Sequence, residues 1–166
     1  MDTEKTTFDF PQIGVVKSCY KAKFGIPRQP GLIDEAKGTI RILPPFNQPN
    51  IVRGLEQFSH IWVLFVFHLS MREHWKATVR PPRLGGNERK GVFATRSPFR
   101  PNPLGLTVVR LEGTEITDSG VILTVSGADL MNGTVIYHGV CAVFISACYG
   151  IIMMSSREQT YVDASD

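Results

Sequence analysis

The sequence predicts a mainly β protein, a mostly antiparallel sheet or barrel with short helices and long loops. Its apolar runs are short and closely spaced, several are rich in β-branched residues, and helical periodicity is scarce. At 166 residues the chain suits one domain with a real core. Its 43% hydrophobic and 20% charged content is ordinary for a globular protein.

The elements follow in order. "MDTEKTTFDF" opens a polar, acidic segment over residues 1–12, unlike a signal peptide. "IGVVKSCY" (13–20) reads as a first strand. "KFGIPRQPGL" (23–32) is a loop stiffened by proline and turned at glycine. "GTIRIL" (38–43) alternates as a half-buried strand, "PPFNQPN" turns, and "IVRGLEQF" (51–58) has room for two helical turns. "SHIWVLFVFHL" (59–69), apolar on both faces, predicts a central strand buried on both sides. Residues 70–90 form a basic, Pro/Gly-rich loop, and "GVFAT" is a short strand. "LGLTVVRLEGTEI" (104–116) and "GVILTVSG" (120–127) pair as a hairpin across Thr117–Ser119. "VIYHGVCAVFI" has the β-propensity of a further strand.

Charge is unevenly placed. Between residues 72 and 100, Arg72, Lys76, Arg80, Arg83, Arg89, Lys90, Arg96 and Arg100 outnumber Glu73 and Glu88, a surplus of six. The whole chain carries only +3, so the remainder is net negative by three. A basic stripe on an acidic body suits a polyanionic partner, or is simply a solvated loop. Cys19, Cys141 and Cys148 show no metal-ligand spacing, and their odd number argues against a secreted disulfide framework. The longest apolar stretch, Gly139 to Met154, is shorter than a membrane helix. These features together lead us to expect a cytoplasmic protein without a metal site.

Four segments have the makings of a ligand site. "PRQPGL" (27–32) offers rigid backbone, a glycine that permits close approach and the amide of Gln29, although a tight turn explains it more readily. His68 ends the apolar strand, where a structural histidine is the commoner outcome; His60, at its start, invites the same reading. "GVFATRSPFRPNPLGLT" (91–107) sets Arg96 and Arg100 among prolines, which restrain the backbone that presents them. Arg96 recognises a carboxylate or phosphate there, or pairs with a structural carboxylate. "SGADLMNGT" (126–134) ends a strand with backbone donors and one carboxylate, or is a turn.

The motifs "PRQPGL", "GLEQFSHIWVLFVFH", "VRPPRLGGNERKGVFATRSPFRPNPLGL" and "SGADLMNGT", in this order and approximate spacing, resemble the TrmO (YaeB/TsaA-like) tRNA methyltransferase family from about Ile13 to Thr134. The resemblance implies a small β-barrel domain over 13–146, usually homodimeric. It implies S-adenosylmethionine-dependent methylation of N6 of threonylcarbamoyladenosine, beside the anticodon of threonine-decoding tRNAs. Carried onto this chain, cofactor contacts fall on Gln29, Pro30, Gly31, His68, Leu69, Arg96, Leu106, Ser126, Gly127, Ala128 and Asp129. Asp129 suits the cofactor's ribose or ammonium and Arg96 its carboxylate, while His68 is the candidate general base. The basic stripe, with Arg80, Arg83, Arg89, Lys90 and Arg100, then meets tRNA phosphates.

After Thr134 the chain departs from the family pattern. The family continues with a proline and a segment ending Asp-Ile-Lys-Pro-Tyr; this chain reads "VIYHGVCAVFISACYGIIMMSSREQTYVDASD", with 147–166 as a divergent tail. The alternative function is therefore a cofactor- or RNA-binding barrel without turnover.

Overall fold

Six strands close on themselves in the computed structural model, which describes residue 7 and residues 9–22, 24–27, 29–71, 74–81 and 87–143. They are β1 (Gly14–Ser18), β2 (Gly38–Ile42), β3 (His60–Val66), β6 (Leu104–Thr117), β7 (Gly120–Ser126) and β8 (Val135–Val143). Around the barrel they run β1-β2-β7-β6-β3-β8, every pairing antiparallel. Two short strands, β4 (Thr78–Val79) and β5 (Lys90–Gly91), make a separate ribbon inside the basic stripe.

The barrel fills by strand alternation. Val16, Ile40, Ile61, Val63, Val109, Leu123, Val125 and Ile136 point inward and are almost fully buried. On β6 the inward set is Gly105, Thr107 and Val109, and Leu104 and Leu106 point outward. Gly105 lies under the Phe65 ring, where a Cβ would stand 2.3 Å from Phe65 Cζ. Phe65 in turn meets Phe67 edge-to-face, with centroids 5.0 Å apart.

The expected strand β3 is present between β6 and β8, yet it is not buried on both faces. Ile61, Val63 and Phe65 face the core; Trp62, Leu64 and Val66 on the other face are half-buried, because a closed barrel has a single interior. Residues 51–58 contribute short 3₁₀ turns, Pro49–Val52 and Leu55–Gln57, rather than one continuous helix. "GVFAT" is also corrected. Lys90–Gly91 is strand, and Val92–Ala94 coils into a 3₁₀ turn that the Thr95 hydroxyl closes by donating to the Val92 carbonyl at 2.9 Å. The hairpin forms as expected, turning at residues 118–119.

β8 pairs with β3 along most of its length and with β1 at Gly14↔Ile136 and Val15↔Val135. The chain that departs from the family pattern after Thr134 therefore supplies the strand that closes the barrel. Residues 147–166 lie outside the described residues.

Candidate active site

The segment after β7 plugs one end of the barrel. Ser126, Ala128 and Leu130 are buried in alternation with the less buried Gly127 and Asp129. The C-terminal part of the segment is tied to β1 and the residues after it. Ser18 Oγ donates to the Leu130 carbonyl at 2.8 Å, Asn132 N–H to Tyr20 O at 2.8 Å, and Gly133 N–H to Val16 O at 2.8 Å. "SGADLMNGT" is thus a turn and a rigid mount at once.

Gly127 takes φ +66°, a left-handed conformation open to glycine at little cost. A Cβ there would stand 3.4 Å from the backbone of Gly31, itself at φ +70°. The Gly31 N–H donates to the Gly127 carbonyl at 3.0 Å, and the Ala128 N–H to Ala36 O at 3.4 Å. These contacts bring Gln29, Pro30 and Gly31 beside Ser126–Asp129, joining the first and fourth sequence segments.

Asp129 is the hub. Its carboxylate side chain is only 8% exposed. Thr107, 2% exposed and facing inward from β6, donates its hydroxyl to Oδ1 at 2.7 Å. Arg96 Nη2 lies 3.4 Å from Oδ2 and donates to the Leu106 carbonyl at 3.1 Å. Arg96 therefore pairs with a carboxylate of the protein, the second of its two sequence readings, while half of its side chain stays exposed. Sequence reasoning missed Thr107. The signal was there: a lone hydroxyl at an inward position among apolar partners needs a polar neighbour.

His68 opens the 3₁₀ turn His68–Ser70 directly after β3, with Leu69 exposed beside it. The Phe67 N–H donates to Pro103 O at 2.8 Å, which fastens this turn to the Pro-rich segment carrying Arg96. No described side chain hydrogen-bonds His68. All four segments are linked by backbone contacts or by Asp129, but no described bond joins His68 to Asp129.

The Pro-rich segment is stiffened by more than proline. Thr95 Oγ1 accepts from the Ser97 N–H and Ser97 Oγ from the Phe99 N–H. Arg100 donates through Nε to Ser97 O at 3.0 Å and through Nη2 to Thr95 O. Arg100 thus braces its own loop. The apolar ends do not all anchor in the core: Val92 is buried, but Phe93 is 81% exposed and Leu104 and Leu106 also face outward.

A second polar cluster braces Ser126. A bulge between Leu111 and Gly113 on β6 turns Glu112 to accept a hydrogen bond from Ser126 Oγ. That bond, with Arg110 and Lys37 nearby, holds the Glu112 carboxyl below the usual carboxylate range although burial opposes it. Burial and Arg110 together lower His60. His60 Nδ1 lies 3.0 Å from Ser59 Oγ.

In the basic stripe, Arg80 and Arg89 line an open groove of about 520 Å³ with Lys76 and the β4 backbone. Lys90 is ion-paired with Glu88, and Arg83 lies outside the described residues. Among the described residues no three His, Cys, Asp or Glu side chains cluster to hold a metal ion. No helix of the described residues is long and apolar enough to cross a membrane.

Comparison with known proteins converges on one family. The tRNA-methyltransferase O N-terminal domain matches residues 15–138. A tRNA (adenine(37)-N6)-methyltransferase of Escherichia coli (strain K12) is 55% identical over 129 residues, covering 78% of this chain and 55% of that protein. Its Homo sapiens counterpart of the same name is 47% identical, covering 74% of this chain and 27% of that protein. The crystal structure of TrmO from Pseudomonas aeruginosa superposes with a TM-score of 0.70 at 40% identity, covering 90% of this chain and 61% of that one. The chain spans little more than half the length of the Escherichia coli relative.

Proposed function

Because the chain belongs to the TrmO family of tRNA methyltransferases, we propose that it methylates an adenine of tRNA with S-adenosylmethionine. The finer reading is methylation of N6 of threonylcarbamoyladenosine beside the anticodon of threonine-decoding tRNAs, by a cytoplasmic homodimer. One observation carries the site assignment. Arg96 and Thr107 of one segment meet the nearly buried Asp129 carboxylate of another, the 27–32 loop is bonded to Gly127 beside it, and the Phe67–Pro103 bond ties in the His68 turn, all within the span that the family domain matches.

The residues present fit the cofactor. Asp129 is an acceptor for ribose hydroxyls or an ammonium, and Thr107 fixes its orientation through one oxygen. The contact of Arg96 with the other oxygen is long, at 3.4 Å, and its half-exposed guanidinium has further donors for a carboxylate. Leu69 and Leu106 offer apolar surface for a purine, and Gly31 and Gly127 expose backbone that side chains would otherwise cover. Gln29 and Pro30 precede Gly31 on the same loop, and the buried Ser126 and Ala128 hold Gly127 in place. S-adenosylmethionine, when bound, supplies an electrophilic methyl group; the protein's share is to align the acceptor nitrogen and exclude water. The acceptor nitrogen carries a proton, and His68, with no described partner fixing its tautomer, is the residue we assign to receive it.

Arg80, Arg83, Arg89, Lys90 and Arg100 lie in the stripe proposed to meet tRNA phosphates. The groove formed by Lys76, Arg80 and Arg89 supports this. Exposed apolar residues such as Phe93 and Leu104 give a homodimer surface to cover.

The test is incubation with hypomodified threonine tRNA and cofactor labelled in its methyl group, followed by nucleoside mass analysis. Label on N6 of threonylcarbamoyladenosine is expected. Binding of cofactor and tRNA without label favours the second reading, a barrel without turnover, which rests on the departure from the family pattern after Thr134.

A further inference from the structure

Beside the basic groove lies a smaller cleft of different character. It measures about 150 Å³ and is walled by His74, Trp75, Pro98, Phe99, Pro101 and Pro103. Drug- or cofactor-sized ligands occupy roughly 300–1,000 Å³, and a water takes about 30 Å³ of liquid, so this cleft suits one ring system rather than a whole cofactor. Its walls combine these aromatic and proline surfaces with polar edges from Ser70, His74 and Arg100. Trp75 is 55% exposed, unusual for the largest apolar side chain unless it meets a partner.

The cleft and the groove are neighbours along the chain. Trp75 lines the cleft and its neighbour Lys76 lines the groove. Lys76 also ties the two together: its N–H donates to Phe99 O at 3.0 Å and its Nζ stands 5.8 Å from the centre of the Phe99 ring. The far wall is the Pro-rich segment braced by Arg100, so the cleft does not depend on loop ordering at binding. Ser70, from the turn that begins with His68, closes it on the side of the candidate active site.

A cationic groove set beside an aromatic-lined slot is an arrangement that holds single-stranded nucleic acid, with phosphates on the charges and a base on the ring. We propose that this cleft is a stacking subsite for one unpaired nucleobase of the substrate RNA, with Trp75 as the platform and Lys76, Arg80 and Arg89 on the adjoining phosphates. The inference rests on the tRNA-methyltransferase reading above, and adds to it a place where a base next to the modified one is held. Charge complementarity selects RNA as the occupant: aromatic faces stand beside hydrogen-bonding edges, and the cleft lies in the segment with a surplus of six positive charges.

The experiment uses the full chain and the fluorescein-labelled anticodon arm of a threonine tRNA, with an otherwise identical arm whose loop is abasic as the control. Trp75→Ala should weaken binding of the intact arm by about 5- to 150-fold. Trp75→Phe should restore most of that affinity. The slope of log affinity against log salt should not change, because stacking releases no counterions. S-adenosylmethionine affinity should also stay the same. Wild-type affinity in Trp75→Ala overturns the proposal, as does an equal weakening for the abasic arm. Failure of wild-type protein to bind the arm also overturns it. A change in oligomeric state on Trp75→Ala assigns the cleft to a second copy of the chain instead. The two readings fail separately. Trp75-dependent binding without methyl transfer by the wild type removes the enzyme reading alone. Methyl transfer untouched by Trp75→Ala removes the stacking subsite alone.

Discussion

Replacing Thr107 by valine probes the hub of the site with almost no change of shape. The hydroxyl is buried inside the barrel and donates to Asp129 Oδ1 at 2.7 Å, so valine leaves a nearly buried carboxylate short of one donor. A hydrogen bond to a charged group contributes about 1.5–3 kcal/mol. For a chain of this size each kcal/mol moves Tm by about 2–4 °C, so Thr107→Val should lower Tm by about 3–12 °C. The functional effect comes from Asp129, which is no longer held in one rotamer. Re-ordering one side chain costs about 0.5–1.5 kcal/mol, which corresponds to a roughly 2- to 12-fold weaker Kd for S-adenosylmethionine. Calorimetric titration below the transition, on folded protein, reads this directly, with Thr107→Ser as the control that keeps the hydroxyl. A lowered Tm with unchanged cofactor affinity would show that Thr107 serves the barrel alone and that Asp129 does not touch the cofactor.

Three further outcomes are expected from the same structure. Gly105→Ala places a Cβ against the Phe65 ring and should cost about 1–3 kcal/mol in urea unfolding; an unshifted midpoint would contradict the packing of β6 on β3. Arg80→Ala combined with Arg89→Ala should make tRNA binding less salt-sensitive, by about 0.7–0.9 in log–log slope for each phosphate that is no longer neutralised, and an unchanged slope would move the tRNA elsewhere. Glu112 is held below the ordinary carboxylate range chiefly by the Ser126 hydroxyl, so its contribution to stability is present above its unfolded pKa and disappears as pH falls through the lower, folded value. Ser126→Ala should therefore flatten the fall of Tm on the acid side of about pH 4.5, and a profile parallel to wild type would show that the bond contributes nothing.

Period-two patterns exposed most of the barrel, because a strand's inward positions must be apolar wherever there is one interior to fill. Ile40 and Ile42 are read that way from the letters alone, whereas Ile61 through Phe65 are apolar at every position and the letters do not say which face the single interior takes. Closure was less accessible. Nothing local in β8 says that it joins β1 to β3, since strand pairing is set by long-range contacts. The 3₁₀ turn at Val92–Ala94 was hidden for a related reason: "GVFAT" has strand propensity, but the Thr95 hydroxyl and the buried Val92 favour a turn.

The candidate site was legible as four motifs and not as a geometry. Asp129 and Arg96 stood out by residue type, whereas Thr107, Glu112 and Trp75 did not. Each of these acts only through a neighbour far away in sequence: Thr107 through Asp129, Glu112 through Ser126, and Trp75 through the prolines opposite. Arg100 shows the converse. Its type suggested a ligand contact, and the structure adds a second role the letters do not show, since its Nε and Nη2 brace carbonyls of its own loop.

The assignment of the site to the cofactor stands or falls on a crystal structure of the chain with S-adenosylhomocysteine, the demethylated cofactor. The product is expected against the Asp129 carboxylate and the backbone of Gly31 and Gly127, with Arg96 turned toward its carboxylate. Product bound elsewhere, with Asp129 still held only by Thr107 and Arg96, would refute the assignment.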